Sequence, residues 1–176
     1  GLQQVMWVGI SHIEGAALRA NPRLRPVTLQ PGGILNLPHP MTVSRQHRFV
    51  LNDTDQAELF LRANQLHQLA PEQAQSHCPR HGVTYVHVLL ERHEVIFADG
   101  IPTESFYPGP WSLRGLSNDA QAELTSLLPD LRALRPLHPR LARIATDKIY
   151  SPLARKEIST ADLGMMMMPE RLQRHA

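Results

Sequence analysis

Ten histidines and a single cysteine in 176 residues set the side-chain chemistry open to this chain. Thr42-Val43-Ser44-Arg45-Gln46-His47 places a hydroxyl three residues ahead of an imidazole, directly before the run Arg48-Phe49-Val50-Leu51. In a tight turn at a strand edge, such a pair can address one peptide bond. The hydroxyl or a backbone N–H polarises the carbonyl, while the imidazole serves the amide nitrogen. In isolation Ser-x-x-His reads first as a hydroxyl capping a turn beside a half-exposed histidine. His77-Cys78-Pro79-Arg80-His81 gathers three zinc-ligand side chains, but it has no matching partner pair, so a surface loop is expected there. His87 and His93 fall on one face of a strand but about 20 Å apart at full extension, too far to share an ion unless the strand ends before His93. A metal-dependent hydrolase or nuclease built on His47, His87 and His93 therefore ranks far behind, and neither metal nor cofactor is expected. His12, His39, His67, His138 and His175 stand alone and take no role.

The elements that must hold these residues are short. Residues 5–10, 25–30 and 48–52 are brief runs with β-branched or aromatic side chains, bounded by Pro, Gly, Asn or Asp. Two short helix candidates, 56–61 and 62–69, interrupt them, the second ended by Pro71. In 83–92, Tyr85, His87, Leu89 and Glu91 alternate with Val86, Val88, Leu90 and Arg92, which predicts a strand that buries its valine face. A further strand over 95–98 runs into Asp99-Gly100, a strong hairpin signal. After Trp111 the pattern turns helical. Ser117 or Asn118 can cap a helix carrying Ala120, Leu124, Leu127 and Leu128 on one side until Pro129, and short amphipathic pieces follow between Pro136, Pro139, Pro152 and Pro169. The run Met165 to Met168 is expected to pack or to fray. A β domain over 1–112 with a helical extension over 113–176, docked on it or partly mobile, is the expected organisation.

Composition narrows the partners. Eighteen basic against sixteen acidic residues give a net charge of +2, too small for a nucleic-acid footprint, although the excess lies after residue 130. No stretch approaches the ~18–20 apolar residues of a membrane span. The lone Cys78 excludes an internal disulfide framework. Gly1 opens the chain without a leader and reads as the start of a piece of something longer.

Four segments in order, QQVMWVG (3–9), LRPVTLQPGGI (24–34), VSRQHRFVL (43–51) and YVHVLLERHEVIFADGIPTESFYPG (85–109), closely resemble the bacterial Hint, or hedgehog/intein, family over about the first 110 residues. The resemblance implies a mainly β, almost all-β pseudo-two-fold fold whose chain ends meet at a self-processing site. Members act on their own backbone. An opening Cys or Ser attacks the preceding carbonyl, an amide becomes a thioester or ester, and water, an external nucleophile or a downstream side chain resolves it. By resemblance His47 protonates the departing nitrogen and Ser44 orients the carbonyl or backbone. A second histidine helps the later step; His87 or His93 matches it by position, His93 being preferred.

The departures bear on function. Gly1 is no nucleophile, and the opening residues resemble a part of the family that follows its first strands, so the resemblance implies an N-terminally incomplete domain whose nucleophile would come from an upstream complementing segment. Where splicing members end in His-Asn, this chain has Thr103-Glu104-Ser105-Phe106, with no asparagine to cyclise. Glu104 as a base and Ser105 as an acceptor hydroxyl stand level with a reading in which both pair locally and cap the strand. The leading expectation is a self-processing domain, inactive as this piece, whose substrate is its own flanking polypeptide. The alternative is a degenerate scaffold serving as a binding or assembly module.

Overall fold

The computed structural model describes residues 2–53, 56–134 and 138–168. Gly1, Pro136, Pro169 and His175, and the end of the segment expected to be partly mobile, lie outside them. In chain order the elements are β1 (Val5–Ile13), α1 (Gly15–Ala20), β2 (Val27–Leu29), β3 (Met41–Val43), β4 (Arg48–Asn52), β5 (Glu58–Arg62), α2 (Ala63–Leu69), β6 (Ala74–Ser76), β7 (Val83–Leu90), β8 (Val95–Ala98), β9 (Ile101–Glu104), α3 (Pro110–Arg114), α4 (Asn118–Leu127), α5 (Pro139–Ile149), β10 (Lys156–Glu157) and α6 (Thr160–Met167). Short 3₁₀ helices stand at Pro22–Leu24 and Pro129–Leu134.

The strands form three sheets: the pair β1-β7, the five-stranded β10-β5-β4-β9-β8, and the three-stranded β3-β2-β6. Their shortness follows from the punctuation in the sequence. At the β8–β9 turn Asp99 and Gly100 both adopt positive φ (51° and 77°), the two-residue geometry whose twist matches antiparallel strands.

Two sequence expectations change. The stretch 56–61 is not a helix: Glu58–Arg62 is a strand lying between β4 and β10, with Phe60 and Leu61 fully buried. Asp53 makes the reversal, accepting the Ala57 N–H on its side chain and donating its own N–H to the Ala57 carbonyl. A short apolar run carries no periodicity that separates strand from helix, and here pairing on both edges decides it. The second change is the face of β7. Tyr85, His87 and Leu89 point inward opposite Ser11, Gly9 and Trp7, while Val86 is 62% exposed beside Ile10 of β1. The inward face has specific partners: Ser11 Oγ accepts the Ser117 N–H, and the Tyr85 hydroxyl donates to the Leu24 carbonyl. Gly9 permits this packing because a Cβ there would meet the Trp7 ring 2.0 Å away.

Residues beyond 112 complete both cores. Leu116, Leu124, Leu131 and Leu134 close over Trp7, Leu89 and Phe106, and Ile158 and Leu163 join the cluster around Phe49 and Leu61. Each fully buried leucine contributes about 1.5–3 kcal/mol. Ser117 caps α4 by accepting the Ala120 N–H, the helix ends at Leu128 before Pro129 as expected, and Met166 and Met167 pack on the core. Among the described residues strand accounts for 30% and helix for 34%, so the described structure is β-rich with three sheets rather than all-β.

Candidate active site

A cleft of about 310 Å³ opens where the 44–47 turn, β7, the end of β9 and α3 converge. The turn forms because the His47 N–H donates to the Ser44 carbonyl, and it is fastened from outside by the start of α2: Ala63 N–H bonds the His47 carbonyl, Asn64 N–H bonds the Arg45 carbonyl, and Arg45 Nη1 donates to Asn64 Oδ1. Ser44 and His47 thus share one wall of the cleft.

The hydroxyl that touches His47 is that of Thr103, bonded to Nε2. Thr103 Oγ1 in turn donates to the Arg48 carbonyl at 2.6 Å. With its own hydrogen spent there, Thr103 accepts from His47, which puts the proton of the neutral ring on Nε2 and leaves Nδ1 without a partner among the described residues. Burial pushes the His47 pKa below its ordinary value; Glu104 opposes that shift and Arg48 adds to it. At neutral pH the ring is uncharged and able to take a proton on Nδ1.

Behind this pair lies a buried ionic core. Arg48 Nη1 donates to Glu104 Oε2 at 2.6 Å, its backbone N–H donates to Glu104 Oε1 at 3.0 Å, and its Nε donates to Glu157 Oε1 at 2.6 Å. Burial works against ionisation of Glu104, yet the Arg48 guanidinium and the His93 hydrogen bond outweigh it and hold the carboxyl below the usual carboxylate range. Glu104 is therefore an ionised pillar with both oxygens engaged.

His93 is part of the same core. Nδ1 accepts the Ala154 N–H at 3.0 Å, so Nε2 carries the hydrogen and donates to Glu104 Oε2 at 3.2 Å. Its ring stands edge-on to Phe60 and Tyr107 and is buried, 2% exposed. Ser105 is equally enclosed: its Oγ accepts the Glu94 N–H and its N–H donates to the Glu94 carbonyl, extending the β8–β9 ladder. Of the residues singled out in the sequence, the fold brings Ser44, His47, Glu104 and Ser105 to the lining of the cleft and places His93 behind it, against Glu104.

His87 has the opposite character. Its ring lies on Phe106, with centroids 4.8 Å apart, it lines the cleft, and its buried Nε2 has no hydrogen-bond partner. Burial and then the neighbouring His47 bring its pKa down to about 4. Thr103, Arg48 and Glu157 escaped the sequence reading. Thr103 sits in the quoted Thr103-Glu104-Ser105 stretch, but nothing local marks it as the partner of His47.

Among the described residues no group of three or more His, Cys, Asp or Glu side chains is placed to hold a metal ion. Cys78 is exposed, and the His77 ring contacts the Thr28 hydroxyl.

In a comparison with protein families, the model of the Hint domain family matches residues 1–110. The chain belongs to the Hint domain family. This Hint domain thus contains the 44–47 turn, β7 and β9 within the matched segment, whereas Ser151, Ala154 and Glu157, which reach its site from behind, lie beyond it. The Hint fold is one associated with self-processing. The comparisons with curated proteins and with solved structures gave no match.

Proposed function

We propose that this Hint domain promotes cleavage or transfer of a peptide bond in its own flanking polypeptide, through an N-to-S or N-to-O acyl shift, with His47 as the proton carrier. The observation that carries the reading is the state of His47: neutral, oriented through Nε2 by Thr103, with Nδ1 at the wall of a cleft and without a partner among the described residues. In the shift, a thiol or hydroxyl forms a bond to the carbonyl carbon while the carbon–nitrogen bond breaks, and one proton passes from the nucleophile to the departing nitrogen. A base whose pKa is lowered takes that proton briefly and returns it readily as an acid, which suits His47 Nδ1 to both halves of the step. Ser44 orients the carbonyl or backbone from the same turn. The nucleophile is contributed by a segment upstream of Gly1.

His93, Glu104 and Ser105 enter as positioning residues. Glu104 fixes the backbone N–H of Arg48, the residue whose carbonyl holds Thr103, and His93 fixes Glu104. Both nitrogens of His93 and both oxygens of Glu104 are held in hydrogen bonds, which supports a positioning role for this pair.

Joining an upstream segment that opens with Cys tests the proposal. Thiol-sensitive cleavage is expected by intact mass, and His47→Ala abolishes it. A joined chain that stays intact at every thiol concentration leaves the non-catalytic scaffold as the reading.

A further inference from the structure

Next to the cleft, and sharing Gln46, Tyr107, Trp111 and Ser112 with it, is a second hollow of about 440 Å³. Four arginines line it: Arg48, Arg62, Arg140 and Arg143. Three of them converge on a single carboxylate, Glu157, which Arg48 and Arg62 reach at 2.6 Å and Arg143 at 2.9 Å. Arg48 also has Glu104, and Arg143 has Asp147 at 4.0 Å, an oxygen already accepting the Tyr107 hydroxyl at 2.6 Å. Arg140 has no carboxylate partner among the described residues, and the buried Nε of Arg62 has no acceptor. Four guanidinium groups thus face three carboxylates, Glu157, Glu104 and Asp147, among the described residues. Tyr107, Pro110 and Ile144 give it apolar walls.

Unpaired guanidinium donors at the end of a partly apolar hollow suit a carboxylate carried on a short aliphatic stem. An arginine fork matches carboxylate geometry, and a charge-assisted hydrogen bond contributes more than a neutral one. Because the hollow shares Gln46, Tyr107, Trp111 and Ser112 with the cleft, it adjoins the place of a polypeptide lying against His47. We propose that the hollow is a specificity subsite for an acidic side chain, Glu or Asp, on the polypeptide that occupies the cleft. The proposal rests on the self-processing reading for the identity of that polypeptide, and on the arginine geometry alone for its charge.

The test is an NMR titration of the full chain with a short Gly/Ser peptide carrying one central Glu, compared with its Gln counterpart. The Trp111 indole resonance reports binding. The Glu peptide should bind at least about five-fold more tightly, in the range of one charge-assisted bond. Arg140→Gln should erase the preference, and Arg140→Glu should reverse it toward a Lys peptide, with unchanged circular dichroism in both. Equal binding of the two peptides, no saturable shift with either, or a preference that survives Arg140→Gln overturns the subsite. A Glu preference without cleavage in the joined chain sinks self-processing and keeps the subsite; cleavage without the preference does the reverse.

Discussion

The His47 imidazole and the Thr103 hydroxyl, 56 positions apart in the chain, are bonded to each other where β4 begins and β9 ends, and the same hydroxyl donates to the carbonyl of Arg48. One threonine therefore fixes both the tautomer of the histidine and its distance from the sheet. Thr103→Val keeps the shape and removes both bonds. Cleavage of a chain joined to an upstream Cys segment is expected to slow about 10- to 100-fold, because the proton carrier loses its orientation. Stability should fall by about 1–3 kcal/mol, since the Arg48 carbonyl loses its partner. An unchanged cleavage rate by intact mass would remove Thr103 from the site.

Arg48 and Glu104 form a buried pair, with side chains 8% exposed on both partners. Removing one member leaves the other uncompensated, and Arg48→Met leaves two carboxylates, Glu104 and Glu157, without their shared cation. A loss of about 3–5 kcal/mol is expected in urea unfolding. A loss below about 1 kcal/mol would show that the polar core is far more solvated than its geometry implies.

His87 gives the chain an acid-sensitive limb. Its folded pKa, about 4, lies below the ordinary 6.5. Between these values the unfolded chain binds a proton that the folded chain refuses, so stability falls as pH drops from about 6.5 to about 4, by at most about 3 kcal/mol. The Glu157 carboxyl adds a separate limb at lower pH. Burial raises its pKa, but Arg48 and Arg62 outweigh burial and bring it down to about 2, so its contribution is present above 4.5 and lost as pH falls toward 2. His87→Phe should flatten only the first limb. Urea unfolding at about pH 7 and pH 4.5 distinguishes the two; a mutant that keeps the full pH 4.5 deficit contradicts the assignment.

The residues after 112 are expected to be required for folding. Leu124, Leu131 and Leu134 are each at most 1% exposed against Trp7, Leu89 and Phe106. A chain ended at Ser112 should show no cooperative thermal transition, while the full chain should show one. Leu124→Ala in the full chain should cost about 2–5 kcal/mol. A cooperative transition in the shortened chain would show that the β portion folds alone.

What the sequence determined by itself was local. Asp99-Gly100 specified its turn through positive φ, Ser117 specified the start of α4 by capping, and Pro129 ended it. The ordered segments from residue 3 to residue 109 carried the family, and Ser44-x-x-His47 carried the turn at the cleft wall. What the tertiary structure decided was whatever depends on partners distant in the chain. Pairing with β4 and β10 made 58–62 a strand, and packing against Ser117 and Leu24 turned the polar face of β7 inward. The two histidines of 83–95 look alike by type and spacing. Folding separates them: Ala154 and Glu104 consume both nitrogens of His93, while His87 is left with an unpaired nitrogen at the cleft. No local pattern encodes that difference, because a histidine's chemistry is set by the hydrogen bonds its two nitrogens make, and those partners lie 11 and 61 residues away.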